Sequence, residues 1–149
     1  ILRFAIRSAL IDAVKIEGSL DEDDIDDIAG QAVDLGSVPI IVIRADQGAK
    51  ADELVQKMES RWDLEAKTFE LAVPVQTKED IQALEDAAKA FHEAHHDATV
   101  IPHPIGKIAK EAMLQGQTFG APLLYTTDGE ETETLPTSTA IHKLLHPEE

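Results

Sequence analysis

The chain contains no cysteine, so disulfides and thiolate metal sites are excluded and the redox compartment is left open. No apolar run approaches the roughly 20 residues that a membrane-spanning helix needs. Cations are scarce: Lys and Arg number 13 against 29 Asp and Glu, a formal charge of −16. Such a field repels phosphate backbones and anionic lipid surfaces, so neither nucleic acid nor a membrane is an expected partner. The bland meaning of the acidity is solubility, as in a salty cytoplasm where screening suppresses self-repulsion. Gly-x-Gly-x-x-Gly and Gly-x-x-x-x-Gly-Lys-Ser/Thr are both missing, which removes the main phosphate-loop signatures. There is no Pro/Gly/Ser-rich linker and no repeat shorter than a strand–helix unit. The opening residues Ile1–Leu10 are too short and too amphipathic for a secretory signal. A chain that begins on Ile inside a helical pattern has the character of a processed, trimmed or engineered one.

What is present is periodicity. A length of 149 residues predicts one α/β domain over 1–149, large enough to bury roughly 70% of its unfolded surface. Leu2, Ala5, Ile6, Ala9 and Leu10 recur at helical spacing. Asp12–Gly18 then reads as a short strand. Ser19 with Glu22 fits a capping box that starts a second helix, with the stripe Ile25, Ile28, Ala29, Ala32 and Leu35 and a stop at Gly36. Val38–Ile43 is a continuous β-branched run, suited to a strand buried on both faces. Ala51, Leu54, Val55, Met58 and Trp62 mark the next helix.

Glu65–Val73 alternates Phe69, Leu71 and Val73 against Thr68, Glu70 and Ala72, a strand that sets Glu70 opposite the bulky apolar side chains. An acid on that face needs a partner, water or a task. Thr77 caps a longer helix through Ile81, Leu84, Ala88, Phe91 and His95. Ala98–Ile101 is a fourth strand, Ile105–Met113 another helix and Pro122–Tyr125 a fifth strand. Asp128–Thr134 is a polar, acidic loop, and Thr137 or Ser138 caps a last helix. The order α(βα)5 predicts a five-stranded parallel sheet with right-handed crossovers. That sheet is either an open doubly wound one or part of a TIM-type barrel, and a ligand belongs at the carboxyl ends of its strands.

Three groups of side chains carry chemistry on this reading. Glu70 and Asp46 form a carboxylate pair for acid–base work if they face one pocket; the structural alternative is an ion pair of Glu70 with Arg44 or Lys67. His103-Pro104-Ile105-Gly106-Lys107 sits where a helix start, a glycine and a lysine make an anion site, or an ordinary strand-to-helix turn. His92, His95 and His96 have metal-clamp spacing, against the plainer reading of side chains at a helix end. Gly116–Gly120 makes the turn into the last strand.

At these residues the chain resembles the type I 3-dehydroquinate dehydratases, barrels of the class I aldolase type that dehydrate a cyclic hydroxy-ketone acid of the shikimate pathway. Leu2–Glu17 resembles the family's helix and fourth strand, which typically end in Asp-Ile-Glu. Val38–Gln47 lies where the resemblance puts the fifth strand, which should carry Ser-His-His-Asp-Phe or a close variant, and Ala66–Val73 where the sixth should read Ala-Asp-Ile-Val-Lys-Ile-Ala-Val. Thr99–Lys110 resembles the seventh strand with its Met-Gly…Gly-x-x-Ser-Arg loop, and Phe119–Tyr125 the eighth. The resemblance covers the last five strand–helix units of a family barrel and implies that barrel's fold.

It also implies a site that has changed. Glu70 stands where the family's Schiff-base lysine belongs, and a carboxylate cannot form an imine. The motif histidine aligns with Arg44 or Ala45, leaving Asp46. The arginine that holds the substrate carboxylate becomes Lys110, which keeps charge but loses the two-point fork. Pro136-Thr137-Ser138 replaces Pro-Gly-Gln. Using Lys67 as the amine would take a three-residue slip in the strand. The expectation is thus a dehydratase-like domain without Schiff-base chemistry, a structural or binding module or an engineered or truncated derivative. An active form would be a carbon–oxygen lyase. The alternative is a small-anion binder or lyase using Asp46, Glu70, His103 and Lys107, with Arg44 and Lys110 also disposed to hold substrate. No metal or cofactor is expected, and exposed strand edges of a partial barrel predict self-association.

Overall fold

A computed structural model describes residues 13–147. Four strands alternate with helices: β1 (Ala13–Glu17), α1 (Glu22–Asp34), β2 (Val38–Arg44), α2 (Ala51–Glu59), β3 (Thr68–Pro74), α3 (Lys78–Ala94), β4 (Thr99–Ile105) and α4 (Lys107–Leu114). A last helix, α5, covers Ser138–Leu145. The helix expected over the opening residues lies outside the described ones.

The four strands are parallel and lie in the order β1-β2-β3-β4. Each strand pairs with its sequence neighbour, with Ile41 opposite Phe69 and Glu70 opposite Ile101. A doubly wound sheet reverses direction at a switch point; this one never does. Right-handed crossovers between consecutive strands then set the helices on a single face.

That face holds the core. Val14, Ile16, Ile41, Ile43, Phe69, Leu71, Val73 and Val100 meet the apolar stripes of α1 to α4, among them Ile25, Leu54, Met58, Leu84, Phe91 and Met113. Each fully buried Leu, Ile or Phe contributes about 1.5–3 kcal/mol by area. At the amino ends of the strands Trp62 packs on Phe69, on Phe91 and, at 4.2 Å, on the ring of His95. The second face, inner in the sense that no helix of the alternating series covers it, carries Ile40, Val42, Glu70, Ala72 and Ile101, all buried.

The expected fifth strand over Pro122–Tyr125 is not formed; the described sheet has four strands. The reason lies in β4. Ile105 accepts from Val75 N–H at 2.9 Å and Thr99 donates to Lys67 O at 2.9 Å, so odd-numbered residues of β4 point their backbone groups at β3. Pro102 and Pro104 therefore face the free edge, where proline has no N–H to offer. Pro122 lacks a donor too, and Phe119 and Gly120 ahead of it adopt positive φ.

Helix caps follow the sequence in two places and depart in one. Thr77 accepts from Asp80 N–H at 3.1 Å while the Asp80 carboxylate takes Thr77 N–H, a complete capping box. Thr137 caps α5 by accepting from Ala140 N–H. Ser19 does not cap α1: the helix starts at Glu22 after Asp21, with no side-chain cap bond. Ser19 instead sits in the turn closed by Leu20 N–H on Glu17 O. At the carboxyl end of β4, Gly106 has φ +153, and a Cβ there would lie 2.6 Å from Val75 O.

Candidate functional site on the inner face of the sheet

The alternation of β3 puts Glu70 on the inner face, as the sequence predicts, and buries it to 2% exposure. Its partner is neither Arg44 nor Lys67. Lys15 Nζ, from β1, lies 2.8 Å from Glu70 Oε1. The two strands are not neighbours; β2 runs between them, so the pair spans about 9–10 Å of sheet and only two extended side chains can close it. Arg44 turns to Glu17 with a two-point fork at 2.9 and 2.8 Å, and Lys67 sits over the Trp62 ring at 4.1 Å.

His103 on β4 joins from the other side. Its Nδ1 is buried, 3.9 Å from Glu70 Oε1, and makes no hydrogen bond. Tyr125 closes the group: its ring stacks on His103 at 4.2 Å and lies 3.9 Å under Lys15 Nζ. The segment expected as a fifth strand thus contributes a side chain to the site without pairing in the sheet.

The electrostatics follow from this packing. Burial pulls the Lys15 ammonium down, but the Glu70 carboxyl and Tyr125 beside it together outweigh burial and hold the group above its ordinary value. Burial is the main force on His103 and keeps its imidazole below the ordinary histidine range, against the pull of Glu70. Burial also raises the Tyr125 phenol. At neutral pH the group is a protonated amine, an acid paired with it, a neutral imidazole and a neutral phenol. It can hold and orient polar atoms. It holds no free amine, because the one lysine present is charged and engaged.

The other expected residues stand apart. Asp46 is exposed in the turn after β2, where its carbonyl accepts from Ala49 N–H at 3.2 Å. Lys107 is exposed at the first position of α4. Lys110 reaches the acidic loop, donating to Thr132 O at 2.8 Å and lying 3.4 Å from Glu131. Of the histidines, His92 bonds Ala98 O at 2.9 Å and His95 meets Glu59 at 2.7 Å. Among the described residues no three His, Cys, Asp or Glu side chains are grouped to hold a metal ion.

Residues 1–148 match the family model described as type I 3-dehydroquinase. The 3-dehydroquinate dehydratase of Salmonella typhimurium is 28% identical over 121 residues, covering 80% of this chain and 48% of that protein. The chain spans about half the length of the curated relatives it matches. Among solved structures, a type I 3-dehydroquinate dehydratase from Clostridium difficile, carrying covalently modified comenic acid, superposes with TM-score 0.83 at 19% identity over 98% of this chain and 58% of that one. The 3-dehydroquinate dehydratase of Geobacillus kaustophilus gives 0.78 at 18% identity, covering 99% and 59%. The fold is that of these single-wound parallel α/β proteins. The chain belongs to the type I 3-dehydroquinase family.

Lys15 and Tyr125 were not singled out by the sequence. A signal for Lys15 lay in the resemblance, which sets Lys15-Ile16-Glu17 where the family pattern ends in Asp-Ile-Glu. Tyr125 left no comparable trace, because nothing in its local pattern fixes how an irregular segment lies on a sheet. No helix among the described residues is long and apolar enough to cross a membrane.

Proposed function

We propose that this chain is a 3-dehydroquinate dehydratase-like domain without Schiff-base chemistry, acting as a structural or binding module. The observation that carries the reading is the buried Glu70 held 2.8 Å from Lys15; the family resemblance sets Glu70 at the strand position of the imine-forming lysine. An imine needs a neutral amine to attack a ketone. Lys15 is the amine nearest that position, and its raised pKa keeps it protonated. Lys110, at the position of the arginine that holds the substrate carboxylate, is already engaged by Glu131 and Thr132.

The sheet is best taken as an arc of a TIM-type barrel. Strand order without reversal supports this, as do the two prolines on the free edge of β4, which oppose closure by a further strand. The alternative of an anion binder or lyase built from Asp46, Glu70, His103 and Lys107 has weaker support, since only Glu70 and His103 share a site.

Borohydride trapping with 3-dehydroquinate tests the reading. The expected result is an unmodified mass after reduction. A reduced adduct on Lys15 would overturn it and make Lys15 a relocated nucleophile.

A further inference from the structure

The carboxyl ends of β1 and β2 and the end of α2 frame a cavity of about 250 Å³ that no part of the reading above uses. Arg44, Lys57 and Arg61 all line it, with Ser19, Ser60 and a single carboxylate, Glu17. The chain has only 13 Lys and Arg in a total charge of −16, so three cations around one hole is a concentration that the overall field opposes.

Their partners show which charge is already satisfied. Glu17 takes the Arg44 fork at 2.9 and 2.8 Å. Arg61 is anchored by Gly18 O at 3.0 Å and by Glu22 at 2.9 Å, an acid 64% exposed that approaches from beyond the lining. Among the described residues Lys57 donates only to a backbone carbonyl, Arg44 O, at 3.3 Å. Among the described residues its ammonium has no carboxylate partner, and it has two further protons to give. Gly18 holds the floor: a Cβ there would fall 2.8 Å from Val42 O, so the chain leaves β1 pressed against β2.

We propose that this cavity binds a small phosphate dianion, held by Lys57, Arg61 and the Ser19 hydroxyl, with Arg44 behind them. With Glu17 on Arg44 and Glu22 on Arg61, the charge left over is that of Lys57, and a phosphate, with more acceptor oxygens than a monocarboxylate, can take the free Lys57 protons and the Ser19 hydroxyl together. The position agrees with the general placement of ligands outside the carboxyl ends of parallel strands. Free phosphate and a phosphate monoester share this chemistry. The inference goes beyond the lost-imine reading and does not depend on it: trapping at Lys15 and binding at Lys57 succeed or fail separately.

The test is calorimetric titration of the whole chain at low ionic strength and about pH 8, where phosphate is the dianion. Inorganic phosphate and glycerol phosphate are compared with chloride. Amide chemical shifts locate the site. Saturable binding is expected in the millimolar range or tighter, with shifts confined to residues 18–20, 42–44 and 57–61. Lys57 is exposed and outside the core, so Lys57→Ala should fold normally, which its thermal midpoint checks, while weakening binding about tenfold. Tighter binding of glycerol phosphate assigns an ester as the ligand, and tighter binding of inorganic phosphate assigns the free ion. Absence of saturable binding by either, shifts elsewhere, or unchanged affinity in a folded Lys57→Ala protein would each overturn the proposal.

Discussion

Lys15 and Glu70 form an ion pair at 2.8 Å across an intervening strand. Glu70 is buried and Lys15 is 46% exposed. A buried carboxylate stripped of its cation is costly, whereas removing both charges is far milder. Lys15→Met should therefore lower stability by about 2 kcal/mol in urea unfolding at pH 7, less than for a fully buried pair because water screens the exposed amine. The exchange Lys15→Glu with Glu70→Lys should recover most of the loss, and Glu70→Lys alone should not. The sign with pH is fixed by the raised Lys15 pKa: its contribution is whole below the unfolded value near 10.4 and is lost as pH climbs through the higher folded value. A Lys15→Met protein as stable as the parent would show that the pair contributes nothing.

His103 supplies a second pH dependence of opposite direction. Its folded imidazole titrates below the ordinary range because burial disfavours the charged form. Between the unfolded value near 6.5 and the lower folded value, the unfolded state holds more protons, so stability falls as pH drops through that window. His103→Gln should flatten the fall without removing losses at still lower pH. Proton NMR of the ring checks the premise directly: a His103 resonance titrating above the exposed histidines would contradict it.

Thr77 and Asp80 tie the start of α3 to its neighbours. Asp80 accepts from the N–H groups of Gln76 and Thr77 at 2.9 and 3.1 Å and from the Gln47 side chain at 3.0 Å. These bonds, that to Gln76 first, hold its carboxyl below the usual range. The contribution is present above the unfolded value near 3.9 and disappears as pH falls through the folded one. Thr77→Ala should cost about 1 kcal/mol at neutral pH by thermal or urea unfolding. Asp80→Asn should cost a similar amount and remove the acid limb.

That cap, like most of the helix-facing core, is legible in the chain itself. Thr77-Lys78-Glu79-Asp80 announces a helix start, Val38–Ile43 has the β-branched character of a doubly buried strand, and the alternation through Phe69, Glu70 and Leu71 fixes which way the acid faces. Each of these signals is local. The site depended on relations that are not. Lys15 and Glu70 are 55 positions apart by their numbers and two strands apart in the sheet, so no period could pair them. The absent fifth strand turns on Pro102 and Pro104 pointing outward, which becomes visible only once the β3–β4 register is known. Ser19 failed as a cap because the chain first had to turn through Gly18, a step that the Ser-x-x-Glu pattern does not encode.

Gly106 isolates the last of these non-local constraints. It lies in the left-handed range at φ +153, and the site of its missing Cβ is 2.6 Å from the backbone oxygen of Val75. Gly116 also has positive φ, +85, but nothing stands within 4 Å of its Cβ position. Gly116→Ala thus carries only the conformational term, about 1 kcal/mol. Gly106→Ala adds a clash with main chain that cannot rotate away, so β4 must shift off the end of β3, and the expected cost is about 2–4 kcal/mol. That shift would also move His103, three residues earlier, relative to Glu70. The pair of variants should therefore separate in two readouts, urea midpoint and the His103 ring resonance, with only Gly106→Ala disturbing the second. Equal losses in the two variants would mean that the close approach to Val75 carries no constraint.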